Sequence, residues 1–208
     1  MATSVAGFIQ QLAVCYVARG YYFYVTGRIP DIKDPAWTDE KIIGQYGIGI
    51  SKWTRARQKK AGVAGVHYLR YGTFFVIIAN HGDQPFFAAE AKRLRDIRTA
   101  PLHFMGYSVG CRQSSRDQTF HVSVRIQPDT YRDLKARFEK QAVHRSVEEL
   151  GWDLRELPYE PYAPVRDQLR GIVRAVNRRR AAGGFELVPA TVLRQTRRPV
   201  RPFAATRD

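Results

Sequence analysis

Four arginines stand four residues apart at Arg166, Arg170, Arg174 and Arg178. On a helix this spacing puts them along one slowly turning face, with Val165, Leu169, Val173 and Val176 on the adjacent apolar one. A row of guanidinium groups repels itself unless an anion lies against it, and the planar fork of arginine matches phosphate oxygens. From Pro161 to Asp208 there are eleven arginines, Arg179, Arg197 and Arg198 among them, against Asp167, Glu186 and Asp208, a net of +8. The bland alternative is a solvated face paired with Glu148, Glu149 or Glu156. Phosphate binding is the chemistry expected of the row.

A second basic cluster, Lys52, Arg55, Arg57, Lys59 and Lys60, contains no acid and includes Trp53. Phosphate contact combined with base stacking needs such a basic run with an aromatic set into it. A charge run is otherwise a solvated face, but two basic patches far apart in sequence support each other. Both agree with the whole chain: 208 residues carry a formal charge of +15, with a pI near 10.2. Charge of that size favours nucleic acid or an anionic membrane, and a structural protein that coats an acidic partner or inserts into a ribonucleoprotein is a third class.

Redox and metal chemistry have little to stand on. The histidines are His67, His81, His103, His121 and His144, none in a His-x-His or His-Glu-x-x-His spacing. Cys15 and Cys111 form no Cys-x-x-Cys pair and cannot make a disulfide scaffold. No metal and no cofactor is therefore expected, and the cysteines suit a reduced, cytoplasmic setting. Neither a Gly-x-x-x-x-Gly-Lys loop nor a Gly-x-Ser-x-Gly elbow is present. Residues 2–18 are apolar but interrupted by Gln10 and Gln11, with no basic stretch before them, so neither a secretory leader nor a membrane partner is expected.

Hydrophobic residues make up 44% of the chain, enough for a packed core. Thr3 or Ser4 can cap a helix that ends at Arg19-Gly20. Residues 21–29 read as a strand, and Thr38 or Asp39 can cap a helix to Tyr46. The basic run from Ser51 is helical. Val66 to Asn80 reads as a hairpin turning at Gly72, because 15 residues exceed the usual strand. A helix is expected from Phe86 to Arg98, then strands near 102–111 and 120–126. Pro128 opens a long helical region bent at Gly151, a Pro-rich strut spans 157–164, and a last helix covers 165–182. The segments are 1–19 N-terminal helix, 20–127 core, 128–184 helical extension and 185–208 basic tail. The expected class is α+β, an antiparallel sheet with helices on one face plus a helical C-terminal extension.

Phe23-Tyr24-Val25-Thr26-Gly27 resembles the first-strand motif of RNA-recognition-motif domains, and Gly72-Thr73-Phe74-Phe75-Val76 is similar to their third-strand motif. Arg70 is displaced from the usual basic position by Tyr71, and Phe74 replaces a small residue. The resemblance covers 21–126 and implies a ferredoxin-like sheet. Tyr24 and Phe75 would then face outward to stack on unpaired bases, beside Arg70 and Tyr71, with RNA favoured over DNA. The strand order is also similar to that of metal-independent, ferredoxin-like endonucleases that process CRISPR RNA, and a Rep-like nuclease without its metal histidines belongs to the same alternative. Such an enzyme would use a histidine base near a hydroxyl, for which His67, His81 and Tyr107 are the candidates.

Overall fold

The computed structural model describes residues 1–203; the end of the basic tail, Asp208 included, lies outside the described residues. It is a mixed α+β chain with antiparallel sheets, dividing into two compact units. The first takes residues 1–102, 110–122 and the chain from Val200, and the second takes 103–109 and 123–199.

In the first unit the Ser4 hydroxyl accepts the Gly7 amide and caps α1 (Val5–Gln10). The helix widens into a π-helical turn, Gln11–Tyr16, tightens to a 3-10 turn, Val17–Arg19, and stops at Gly20 with φ +89°. There follow β1 (Phe23–Arg28), α2 (Pro35–Gln45), α3 (Lys52–Lys60), β2 (Val66–Tyr71), β3 (Phe74–Ala79), α4 (Pro85–Ala89) and β4 (Arg95–Asp96). The hairpin of β2 and β3 turns at Gly72, whose φ of +57° suits a residue without Cβ. The sheet order is β2-β3-β1-β4 with antiparallel neighbours, a split βαβ arrangement with two helices in its first crossover.

Strand alternation assigns the two sheet faces. Val25, Val66, Ile77 and Ala79 share one core with Tyr46, Ile48 and Phe86, behind which α2 and α4 run. On the other face lie Tyr24, His67, Leu69, Phe74, Val76 and Ile78. That face is not open. The N-terminal helix covers it, with Phe8, Ile9 and Leu12 fully buried. Phe8 meets Phe74 edge-on at 5.9 Å, and Tyr16 stacks on His67 at 4.6 Å.

Several boundaries differ from expectation for identifiable reasons. Asp34, with Pro35 behind it, caps α2 in place of Thr38 or Asp39. The helix expected over 86–98 ends at Ala89, because Glu90 turns inward. It is buried, accepts the Tyr46 hydroxyl at 2.5 Å and meets Arg93 at 2.6 Å. The chain then reaches β1 as β4, pairing Asp96 with Phe23 and Arg95 with Tyr24. The strand expected over 102–111 is two, β5 (Leu102–Phe104) and β6 (Tyr107–Gln113), split by a turn with positive φ at Met105 and Gly106. With β7 (Phe120–Ile126) they make a separate sheet in the order β5-β6-β7. Strands β6 and β7 each pass from one unit into the other.

The second unit holds α5 (Pro128–Gln141), α6 (Val147–Arg155) and α7 (Ala163–Ala182). Its helical region breaks at residues 142–146, where Ser146 and Glu149 form a reciprocal cap, and Gly151 lies inside α6. Helix α7 buries Val165, Leu169, Ile172, Val173 and Val176. The Tyr107 hydroxyl donates to the Pro158 carbonyl at 3.2 Å and accepts the Glu160 amide at 2.7 Å, fastening the Pro-rich segment. Among the described residues no helix is long and apolar enough to cross a membrane.

Candidate nucleic-acid interface

Helix α3 forms against the repulsion of its own charges. Ser51 caps it by accepting the Thr54 amide at 3.1 Å, and the helix buries none of its nine residues. Trp53 is 85% exposed. Arg55 is partly buried and donates to the Ile48 carbonyl at 3.1 Å, which ties the helix to the preceding loop. Lys52, Arg57, Lys59 and Lys60 are exposed and form no ion pair among the described residues. The helix dipole favours Arg57, Lys59 and Lys60 in the last turn but opposes Lys52 in the first. Like charges at Lys52/Arg55, Arg55/Lys59 and Arg57/Lys60 repel at helical neighbour spacing. On α2, Trp37 is 54% exposed with the Lys41 ammonium 5.3 Å over its ring, an i,i+4 pair that sequence reading missed although its spacing was visible.

The arginine row of α7 divides in two. Arg166 donates to the Pro161 carbonyl at 2.8 Å, and Arg170 meets Asp167 at 3.2 Å and Gln195 at 3.3 Å. Arg174 and Arg178 are exposed, with no ion pair among the described residues. Arg179 reaches the Glu139 carbonyl at 3.4 Å, Arg197 stands 5.1 Å over the Tyr162 ring, and Arg198 is exposed. None of Glu148, Glu149 and Glu156 is seen pairing with the row; Glu149 goes to Arg145. Arg180 is a structural arginine that its neighbours conceal in sequence. It is 3% exposed and donates to the carbonyls of Ala142, Arg145 and Glu186, closing the end of α5 against the chain after α7.

The sheet aromatics do not form the expected platform. Tyr24 is 1% exposed, its hydroxyl donating to the Ala100 carbonyl at 2.9 Å, and burial pushes its pKa up. Phe75 points to the α2 side, where its ring lies over Gly27 and 5.7 Å from Tyr68. Gly27 is thus explained by packing, since any Cβ there would collide with that ring. Arg70 is buried and donates twice to Asp39, each at 2.7 Å, and once to the Gly72 carbonyl at 2.6 Å. The Tyr68 hydroxyl shares Asp39 at 2.6 Å, which with burial raises its pKa. Tyr71 is partly buried opposite Phe74, on the face under the N-terminal helix.

The three catalytic candidates have different surroundings. His67 is packed between Tyr16 and Tyr21, and burial, with Arg55 nearby, lowers its pKa to about 4. His81 is exposed, edge-on to Phe23 at 4.7 Å. Tyr107, in the other unit, is buried with its hydroxyl committed to backbone, and its pKa is raised chiefly by burial. Sequence reading also missed Arg98, placed in a helix there. It is clamped on Asp96 at 2.6 Å and stands 4.7 Å over Tyr22 and 5.5 Å over Phe120. No family model, curated protein or solved structure matches the chain.

Proposed function

We propose that the protein binds single-stranded nucleic acid through α3, with RNA as the favoured strand. Phosphates would lie against Lys52, Arg57, Lys59 and Lys60, and an unpaired base would stack on Trp53. One observation carries the reading: a helix that buries nothing, holds five cations and no acid, and presents a tryptophan 85% exposed. A helix without an apolar face has no packing reason for that composition, and a polyanion relieves its internal repulsion. Arg174 and Arg178 offer a second phosphate-binding stripe on α7. With Tyr24 and Phe75 turned inward, base contact rests on Trp53.

The test is fluorescence titration of a Trp37→Phe, Trp152→Phe protein, in which Trp53 alone reports. Single-stranded RNA should quench it, duplex DNA should quench it less, and single-stranded DNA measures the preference for RNA. The logarithm of affinity should fall with the logarithm of salt by roughly 0.7 per phosphate contact, and reversing Lys59 and Lys60 to Glu should lower that slope by roughly 1.4. Absence of binding at low salt, or an affinity indifferent to salt, would remove the reading.

A further inference from the structure

Strands β6 and β7 and helices α5 and α7 line, within the second unit, an open cleft of about 500 Å³. That is the size of a small-molecule site. One stripe of α5 faces it, made of Pro128, Tyr131, Arg132 and Lys135 at i, i+3, i+4 and i+7. A helix packed on strands normally carries apolar residues along such a stripe. Here two of the four are cations, Arg125 of β7 adds a third, and no carboxylate lines the cleft. Asp129 does meet Arg132 at 3.0 Å, but both side chains are about three-quarters exposed and the pair is screened by water. Lys135 is partly buried and forms no ion pair among the described residues. Arg132 and Lys135 on one stripe raise the potential of the cleft, and an anion there would offset their repulsion.

The rest of the lining suits a flat ring. The lining includes one aromatic side chain, Tyr131, together with Pro128 and Ile126. The Tyr131 hydroxyl packs against α7, where a Cβ on Gly171 would stand 2.6 Å away. The Gln168 amide fastens the opposite wall, accepting the Ile126 N–H at 2.8 Å and donating to its carbonyl at 3.0 Å. Tyr131 and the Ile126 backbone are therefore held in place before any ligand arrives.

We propose that this cleft binds a nucleoside phosphate, with its phosphate oxygens on Arg125, Arg132 and Lys135 and its base against Tyr131. A free nucleotide and the phosphorylated end of a strand share that chemistry. The site lies wholly in the second unit and owes nothing to α3.

Calorimetric titration of the full chain at low salt tests it, with ADP, UDP, a 5′-phosphorylated dinucleotide, its 5′-hydroxyl counterpart and inorganic phosphate as probes. Saturable one-to-one binding of a phosphorylated nucleoside, tighter than inorganic phosphate, is expected. A preference for the 5′-phosphorylated dinucleotide over the diphosphates assigns the strand end, and the reverse assigns the free nucleotide. Lys135→Glu should weaken binding at least about tenfold, the loss expected of one charge-assisted contact. Tyr131→Leu should weaken the nucleotides and leave inorganic phosphate unchanged. The proposal is overturned if no nucleotide saturates, if inorganic phosphate binds as well as the nucleotides, or if both Lys135→Glu and Arg132→Glu bind like the parent.

Discussion

His67 shows what a residue type alone leaves open. A histidine at a strand start could be a base, a ligand or a packed ring, and the deciding fact is the pair of tyrosines that stack around it. Burial and Arg55 hold its pKa near 4, against a usual value near 6.5. The unfolded chain therefore takes up the proton first. The stability this histidine contributes is complete above about pH 6.5 and is lost as pH falls towards 4. At about 1.4 kcal/mol per pKa unit, and discounting for the partly solvated ring, the loss is roughly 1–2 kcal/mol. Urea unfolding at pH 7 and pH 4.5 should show that extra loss in the parent and not in His67→Phe, which keeps the stacking. Equal losses in the two proteins would contradict this role. Tyr24 and Arg70 teach the same lesson. An aromatic in β1 and an arginine in β2 were legible as strand residues, but strand alternation says only that they share or oppose a face. What covers each face depends on α1 and on Asp39, 31 positions from Arg70.

Among the elements, those with strong local signals were readable and those decided by distant partners were not. The β2–β3 hairpin, the Gly20 stop and the extent of α7 follow from turn chemistry and periodicity that need no partner. Helix α4 ends early because Glu90 finds Tyr46, 44 residues upstream, and the freed chain joins the edge of β1. Composition around 86–98 contains no trace of that competition. Helix α3 was readable from its Ser51 cap and its helix-forming Lys, Arg, Ala and Gln residues, and it forms against the repulsion of its own charges. Its like-charged neighbours each cost a few tenths of a kcal/mol, a repulsion that salt screens. Raising salt from 20 mM to 300 mM should therefore protect the α3 amides more strongly against hydrogen exchange, with α7's buried turns as the internal control. Protection that falls or stays flat would show that something other than charge limits this helix.

The two units of the whole molecule do not follow contiguous blocks of sequence. Residues 110–122 return to the first unit through β6 and β7, and the chain from Val200 returns again. No glycine- or serine-rich linker marks these crossings, which is why composition could not place them. The last return is made by named contacts. Gln10 donates to the Val200 carbonyl at 2.7 Å and accepts its amide at 3.1 Å, the Thr3 amide donates to the Pro202 carbonyl at 2.9 Å, and Ala2 bridges Phe203. Gly7 admits this approach, since a Cβ there would stand 2.9 Å from the Pro202 Cα. Ending the chain at Pro199 should cost the first unit about 1–3 kcal/mol, the range for a few lost hydrogen bonds. Hydrogen exchange should quicken in α1 and stay unchanged in α7. Uniform loosening of both would contradict the assignment.

That clasp also orders events on the ribosome. Residues 2–10 leave the ribosome before residues 200–203, with every residue of the second unit made between them. Until residues 200–203 are made, the N-terminal helix lacks the segment that fastens it. The second unit can be packed before that segment is translated. Closure of the first unit therefore waits until the second has been made, although its sheet is encoded before it.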